Sequence, residues 1–146
     1  VQECPLADLA VCAAVTAVVR GLVEGTLADP DRIRSWPTGP LSQLLGDMTQ
    51  ATNHTVVADR VWLDAIGLRG GPRPVHDVWK PLLDRVMPPA SADGATWRPT
   101  LDVLLAEGNL AQRIVRAAGS EPSRRTLRDV YGRVADCLRD GRLFHP

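Results

Sequence analysis

Hydrophobic residues recur along this chain at spacings of three and four, which is the period of a helix buried on one side. The pattern is clearest near the C-terminus, where Leu127, Val130, Tyr131, Val134 and Leu138 share one helical face. Runs of alternating polarity bounded by hairpin turns, which mark strands, are almost absent. The pattern therefore predicts an all-α chain folded as a bundle of five or six unequal helices.

Proline and glycine set the bounds of these helices. The predicted helices cover about residues 5–24, 41–66, 75–86, 99–106, 110–118 and 124–140, within a single helical domain over residues 1–146. Pro81 lies inside the third helix and predicts a kink or division there. The glycines that follow residue 66 predict the end of the second helix. Gly141 predicts the end of the sixth helix.

The first predicted helix is apolar on most sides, which predicts that it is buried on most sides. Its apolar segment, residues 6–23, contains Asp8 and Arg20 and is short for a membrane span of about 20 residues. A secretory signal needs a basic start, whereas Gln2 and Glu3 precede this segment. We therefore expect a core helix and no membrane partner.

Composition places the chain among globular domains. Of its 146 residues 45% are apolar and 23% charged, and acids and bases balance at 17 each. Because no net basic field exists, a nucleic-acid partner is not expected. The three cysteines form no C-x-x-C motif, so we expect a reducing cytoplasm, with Cys12 and Cys137 as small core residues.

The chain opens without an initiator methionine, and "VQECP" resembles a strand end running into a helix. This opening predicts a fragment of a longer protein. Motifs for chemistry are scarce: no phosphate loop or nucleophile elbow is present. His54, His76 and His145 lack the spacing of metal ligands. We therefore predict no catalytic and no metal-ligating residue within this sequence.

The stretch "NHTVVADRVWLDAIG", residues 53–67, carries polar residues in an unusual register. If it continues the helix of residues 41–66, Asn53, Arg60 and Asp64 fall within about 20° of one another on the side opposite the core. Arg60 and Asp64 are then spaced to form an ion pair. Asp59 falls inside the apolar face, which predicts a polar cleft or a basic partner there. A solvated face for the first three and a satisfied buried carboxylate for Asp59 are the simpler alternatives.

The order of motifs resembles the C-terminal half of the carboxylate–amine ligase family related to glutamate–cysteine ligase type 2, one of the glutamine-synthetase-like ligases. The motifs are "LADLAVCAAVTAVVRGLVEG", "HTVVADRVWLDA", "PLLDRVMPPA" and "LLAEGNLAQRIVRA". Five residues match the helix motif of the family without gaps: Ala58, Arg60, Leu63, Asp64 and Ala65. His54 occupies an asparagine position beside Asn53, and Trp62 replaces a glycine.

A second group of matches lies further along the chain. Gly108, Asn109, Ala111 and Gln112 resemble a segment near the end of the family's sequences. The resemblance covers most of the chain.

The resemblance implies the helical C-terminal part of an α+β enzyme whose antiparallel sheet lies upstream. That enzyme uses ATP and Mg²⁺ to activate a carboxylate as an acyl phosphate, which an amino acid or amine then attacks. Arg60 is implied as an anion clamp, with His54 and Asn53 as further substrate-binding residues. The fragment alone is expected to be inactive and to aggregate or form oligomers. The alternative is a small non-catalytic helical interaction module.

Overall fold

The computed structural model describes residues 4–51 and 55–146 and is mostly helical there. The helices are α1 (Pro5–Val23), α2 (Pro30–Arg34), α3 (Thr38–Ala51), α4 (Arg60–Ala65), α5 (Val75–Val86), α6 (Ala92–Glu107), α7 (Leu110–Ala118) and α8 (Arg124–Arg139). Two short strands, β1 (Val56–Val57) and β2 (Arg73–Pro74), pair antiparallel, with Val56 opposite Pro74. The predicted helical fold class is confirmed at this level, and the predicted upstream sheet remains a prediction.

The continuous helix predicted over residues 41–66 is wrong. Helix α3 ends at Ala51, strand β1 follows, and α4 begins at Arg60. The β-branched residues Thr55, Val56 and Val57 favour an extended backbone. The Thr55 carbonyl accepts a hydrogen bond of 2.9 Å from Val75 N, which extends the contact between the two strand segments.

The chain divides into two compact units. The first consists of Val1–Ala13 and Ala95–Pro146, and the second of Ala14–Gly94. In the first unit α7 and α8 pack around a core that Phe144 completes from the C-terminal segment. The buried members of this core are Leu110, Val130, Val134 and Phe144.

The second unit has its own core around α4. Its buried members are Val57, Trp62, Leu63, Leu68 and Val75, and Trp36 and Trp79 pack against them. This core holds α4 and the two strands together. Helix α4 ends in a Schellman motif, because Gly67 N donates to the Asp64 carbonyl and Leu68 N to the Leu63 carbonyl. Gly67 adopts a φ of 77°, which confirms the glycine stop predicted here.

Helix α1 is not buried on most sides, contrary to the prediction. Its buried residues form a narrow stripe of small side chains: Ala7, Ala10, Ala14, Ala17 and Gly21. Leucines and valines cover much of the remaining surface and are exposed. These exposed residues are Leu6, Leu9, Val11, Val15, Val19 and Val23. The inward face of α1 thus consists of small side chains, whereas its larger hydrophobic side chains lie on the outward face.

By length and composition alone, α1 could cross a membrane, and it is the one such helix in the described part of the chain. Core helices of soluble proteins and secretion signals meet the same criterion. The three cysteines are free thiols. Cys12 is exposed on α1, which corrects its predicted place in the core, because it lies away from the alanine stripe.

Candidate functional site

Asp59 is the N-cap of α4 rather than an inward-facing charge in the middle of a long helix. Its Oδ1 accepts hydrogen bonds from Val61 N at 2.9 Å and from Trp62 N at 3.2 Å. An aspartate at this position satisfies backbone N–H groups that have no partner within the helix. The register that placed Asp59 in the apolar face failed because it assumed an unbroken helix.

Trp62 is the central side chain of this region. It is 8% exposed, and its ring lies 5.3 Å from the ring of Trp36 with an interplanar angle of 32°. The indole Nε1 atoms of both tryptophans are buried without a hydrogen-bond partner among the described residues. The position that the motif resemblance aligns with a glycine is therefore occupied here by a large aromatic residue packed against a second one.

A cleft of about 190 Å³ opens beside Trp62, and we call it the Trp62 cleft. It is lined by Pro40, Gln43, Leu44 and Asp47 of α3, by residues 56–59 and by Trp62. Among the described residues, the lining contains two carboxylates, Asp47 and Asp59, and no lysine, arginine or histidine. Carboxylates beside an aromatic side chain disfavour the binding of an anion.

Arg60 is the first residue of α4, and its side chain is exposed. Within the described residues it makes no hydrogen bond or ion pair, and the expected pair with Asp64 is not formed. Arg60 is not part of the cleft wall, although Asp59 beside it is. Its guanidinium is thus available to solvent. His54 and Asn53, the other two predicted binding residues, lie outside the described residues.

The segment that resembles the end of the ligase family has a structural role in this chain. Asn109 and Gln112 form a capping box at the start of α7, in which each side chain accepts a hydrogen bond from the other residue's backbone N–H. Gly108 precedes it with a φ of 80°, a conformation that favours glycine. These matches therefore support a helix start and do not by themselves indicate a ligand.

Electrostatic pairing elsewhere is concentrated near the C-terminus. The hydrogen bond from Arg142 holds the pKa of Asp140 below its ordinary value of 3.8, and the charge of Arg139 acts in the same direction. Asp140 is also the C-cap of α8, which ends in a Schellman motif at Gly141 as predicted. This cluster explains how the helix ends.

Sequence reasoning missed the Trp62 cleft because its walls come from segments that were joined into one helix. A signal for the break was present, since Asp59 precedes an apolar run as N-cap residues do. Trp36 and Asp47 carried no such signal. Their approach to Trp62 depends on the chain path between α2 and α4.

Comparison of the chain with protein-family models, curated sequences and solved structures gave no match. The resemblance to carboxylate–amine ligases accordingly remains a prediction from the motifs.

The Trp62 cleft does not fit the ATP that this resemblance implies. Triphosphates are bound by basic side chains, backbone N–H groups and Mg²⁺, whereas the charges in this lining are acidic. At about 190 Å³ it is also below the roughly 300 Å³ at which typical ligand pockets begin. No step that uses a nucleotide can be assigned to it.

Proposed function

We propose that this chain is the C-terminal helical portion of an ATP-dependent carboxylate–amine ligase resembling glutamate–cysteine ligase. In that protein, upstream strands would hold ATP and Mg²⁺, and an amide would form through an acyl phosphate. The chain described here would close one side of the assembly and contribute Arg60. By itself it is expected to catalyse nothing.

The observation that carries this proposal is the outward apolar surface of α1. Val11, Val15, Val19 and Val23 recur every fourth residue and form a ridge, with exposures of 46%, 43%, 52% and 73%. Single exposed apolar residues are ordinary, but a contiguous ridge marks a surface that is normally covered. An apolar helix beside a sheet is the arrangement that an α+β ligase requires.

The exposed guanidinium of Arg60 is a second support. A planar guanidinium binds a carboxylate or a phosphate through two parallel hydrogen bonds, and that of Arg60 has no partner among the described residues. The reaction of the proposed ligase involves both kinds of anion. The role of Arg60 in this proposal is binding and orientation of a substrate anion.

The test uses the protein encoded by the complete open reading frame, assayed for ADP release with glutamate and cysteine first and then with other acids and amines. Arg60→Lys should raise KM for the acid or for ATP about tenfold, because a point charge replaces a bidentate fork. Arg69→Lys is the matched control, since Arg69 is also exposed in the second unit. Equal kinetics for the two variants would show that Arg60 is an ordinary solvated residue with no part in substrate binding.

The same exposed ridge favours the alternative of a non-catalytic helical module that binds another protein through α1. The upstream reading frame separates the two proposals. Strand-rich sequence with repeated glutamates on the strands supports the ligase, whereas an initiator methionine directly before Val1 supports the module. Absence of ADP release with every acid and amine tested would also favour the module.

A further inference from the structure

We propose that the groove between α7 and α8 accepts residues 142–146 of a second copy of this chain, so that two copies exchange these segments. We call residues 142–146 the C-terminal strap. In the structure the strap lies on the groove of its own chain, and all the residues that hold it belong to the first unit. The inference rests on the contacts of the strap and does not depend on the ligase proposal.

Phe144 is the anchor of the C-terminal strap. Its side chain is 2% exposed and belongs to one buried cluster with Leu110 of α7 and with Val130 and Val134 of α8, and these three residues define the α7–α8 groove. Withdrawal of the phenyl ring would leave a cavity among these side chains, and cavities in a core are costly. The α7–α8 groove therefore favours a state in which an aromatic side chain fills it.

Two arginines hold the backbone of the strap. Arg113 of α7 is fully buried, and its Nη1 donates a hydrogen bond of 2.7 Å to the carbonyl of Phe144. Arg133 of α8 donates through Nη2 to the carbonyl of His145 at 2.8 Å, and its guanidinium carbon lies 5.2 Å from the centre of the Phe144 ring. Departure of the strap would deprive the buried Arg113 of this acceptor, which is unfavourable. The hydrogen bonds thus also favour an occupied groove.

The strap reaches the groove of its own chain because the backbone reverses at Gly141. Helix α8 ends at Arg139, and Gly141 adopts a φ of 65°, a conformation that favours glycine. Arg142 N then donates to the carbonyl of Cys137 at 2.8 Å, which closes the turn. Short connections of this kind are the hinges at which segments exchange between copies. Since the contacts of Phe144 lie beyond the hinge, they are the same whichever copy supplies the strap.

A second copy is the partner that satisfies all of these contacts. It supplies the same phenyl ring and the same two carbonyls, and reciprocal exchange fills both grooves and gives a closed pair. The contact of 3.0 Å between His145 Nδ1 and Glu107 Oε1 would be kept as well. Within one chain, a short tether gives the strap an effective concentration in roughly the millimolar range. We therefore expect monomers at micromolar concentration and exchanged dimers as the protein concentration approaches the millimolar range.

Substitution of Gly141 tests the hinge without altering the groove. Nothing lies within 4 Å of the place that a Cβ would take at Gly141, so Gly141→Val acts through backbone strain at positive φ. In analytical ultracentrifugation of the full chain, Gly141→Val should dimerise at a concentration lower by about tenfold or more than the unsubstituted chain. Asparagine tolerates this conformation, so Gly141→Asn should behave like the unsubstituted chain. Gly132→Val is the matched control, because that position in α8 is equally open and has no positive φ, and it should change nothing.

Isotope-filtered NMR identifies the contact within the dimer. When labelled and unlabelled copies are unfolded and refolded together, the Phe144 ring of one copy should show NOEs to the methyl groups of Val130 and Val134 of the other. Val19→Ser, on the exposed ridge of α1, should leave this dimer unchanged. Equal association of the Gly141→Val and Gly132→Val variants, or a dimer without these intermolecular NOEs, would overturn the proposal. Loss of the dimer in Val19→Ser would assign the association to α1 and would overturn the proposal as well.

Discussion

Arg85 Nη1 donates a hydrogen bond of 2.6 Å to the carbonyl of Ile66, the C-cap residue of α4. The Nη2 atom of the same guanidinium donates to the carbonyls of Thr26 and Leu27, each at 3.0 Å. One side chain of α5 thus satisfies backbone acceptors in two connecting segments of the second unit. The C-terminus of α4 also attracts a cation through its dipole.

Replacing Arg85 should destabilise the second unit. Arg85→Met is expected to lower the free energy of unfolding by about 1–3 kcal/mol, because three carbonyls lose a charged donor. Arg69→Met removes an exposed arginine side chain for which no hydrogen bond to a described residue exists, and it should change stability by less than about 0.5 kcal/mol. Urea unfolding monitored by tryptophan fluorescence measures both. Similar losses in the two variants would contradict a role for the Arg85 hydrogen bonds.

The C-terminal segment should be essential for the first unit. Phe144 is 2% exposed, its carbonyl accepts a hydrogen bond of 2.7 Å from the buried Arg113, and Arg133 lies over its ring. Phe144→Ala is expected to cost about 3–5 kcal/mol, as for other buried phenylalanines. Tyr131→Ala, at an exposed position on α8, provides the comparison. Thermal melts that give equal shifts for the two would show that Phe144 is not a core residue.

Two substitutions of Asp59 test its role as the N-cap of α4. Asp59→Ala should destabilise the chain by about 0.5–2 kcal/mol, because Val61 N and Trp62 N lose their acceptor. Asp59→Asn should preserve most of the stability, since its side-chain oxygen can accept the same bonds. Chemical unfolding separates these cases. Comparable loss in both variants would mean that the charge, rather than the cap, is what stabilises this position.

Gly94 is predicted to tolerate no side chain. A Cβ at this position would overlap with the carbonyl oxygen of Pro88, while Gly94 N donates to Ser91 Oγ at 3.0 Å. Gly94→Ala should therefore lower the melting temperature by several degrees. Gly132→Ala is the control, because nothing lies within 4 Å of that position in α8 and alanine favours helix. Its melting temperature should rise or stay unchanged.

Helices with strong local signals could be predicted from the sequence. Helix α5 over Val75–Val86 and α7 over Leu110–Ala118 agree with the predicted bounds, and α8 differs by one residue at its end. Their apolar periods and the residues at their ends both point to helix. Helix α2 was missed, although Asp29 followed by Pro30 is typical of a helix start.

The structural features that could not be predicted from the sequence depend on contacts between segments that are distant along the chain. The break near residue 55 is stabilised by pairing with residues 73–75, and no local periodicity records such a partner. The approach of Trp36 to Trp62 has the same origin. For α1, an apolar composition on nearly every side could not indicate which side faces inward.

The alanine stripe of α1 reverses the usual sensitivity of a core helix. At a core of leucines, substitutions that remove volume are the costly ones. Along Ala10, Ala14 and Ala17 little side-chain volume remains to be removed, and larger side chains would overpack the buried face. Mutational tolerance around this helix should therefore follow side-chain size on one face and polarity on the other. An assignment based on hydrophobicity alone would place the leucine and valine face inward and the alanine face outward.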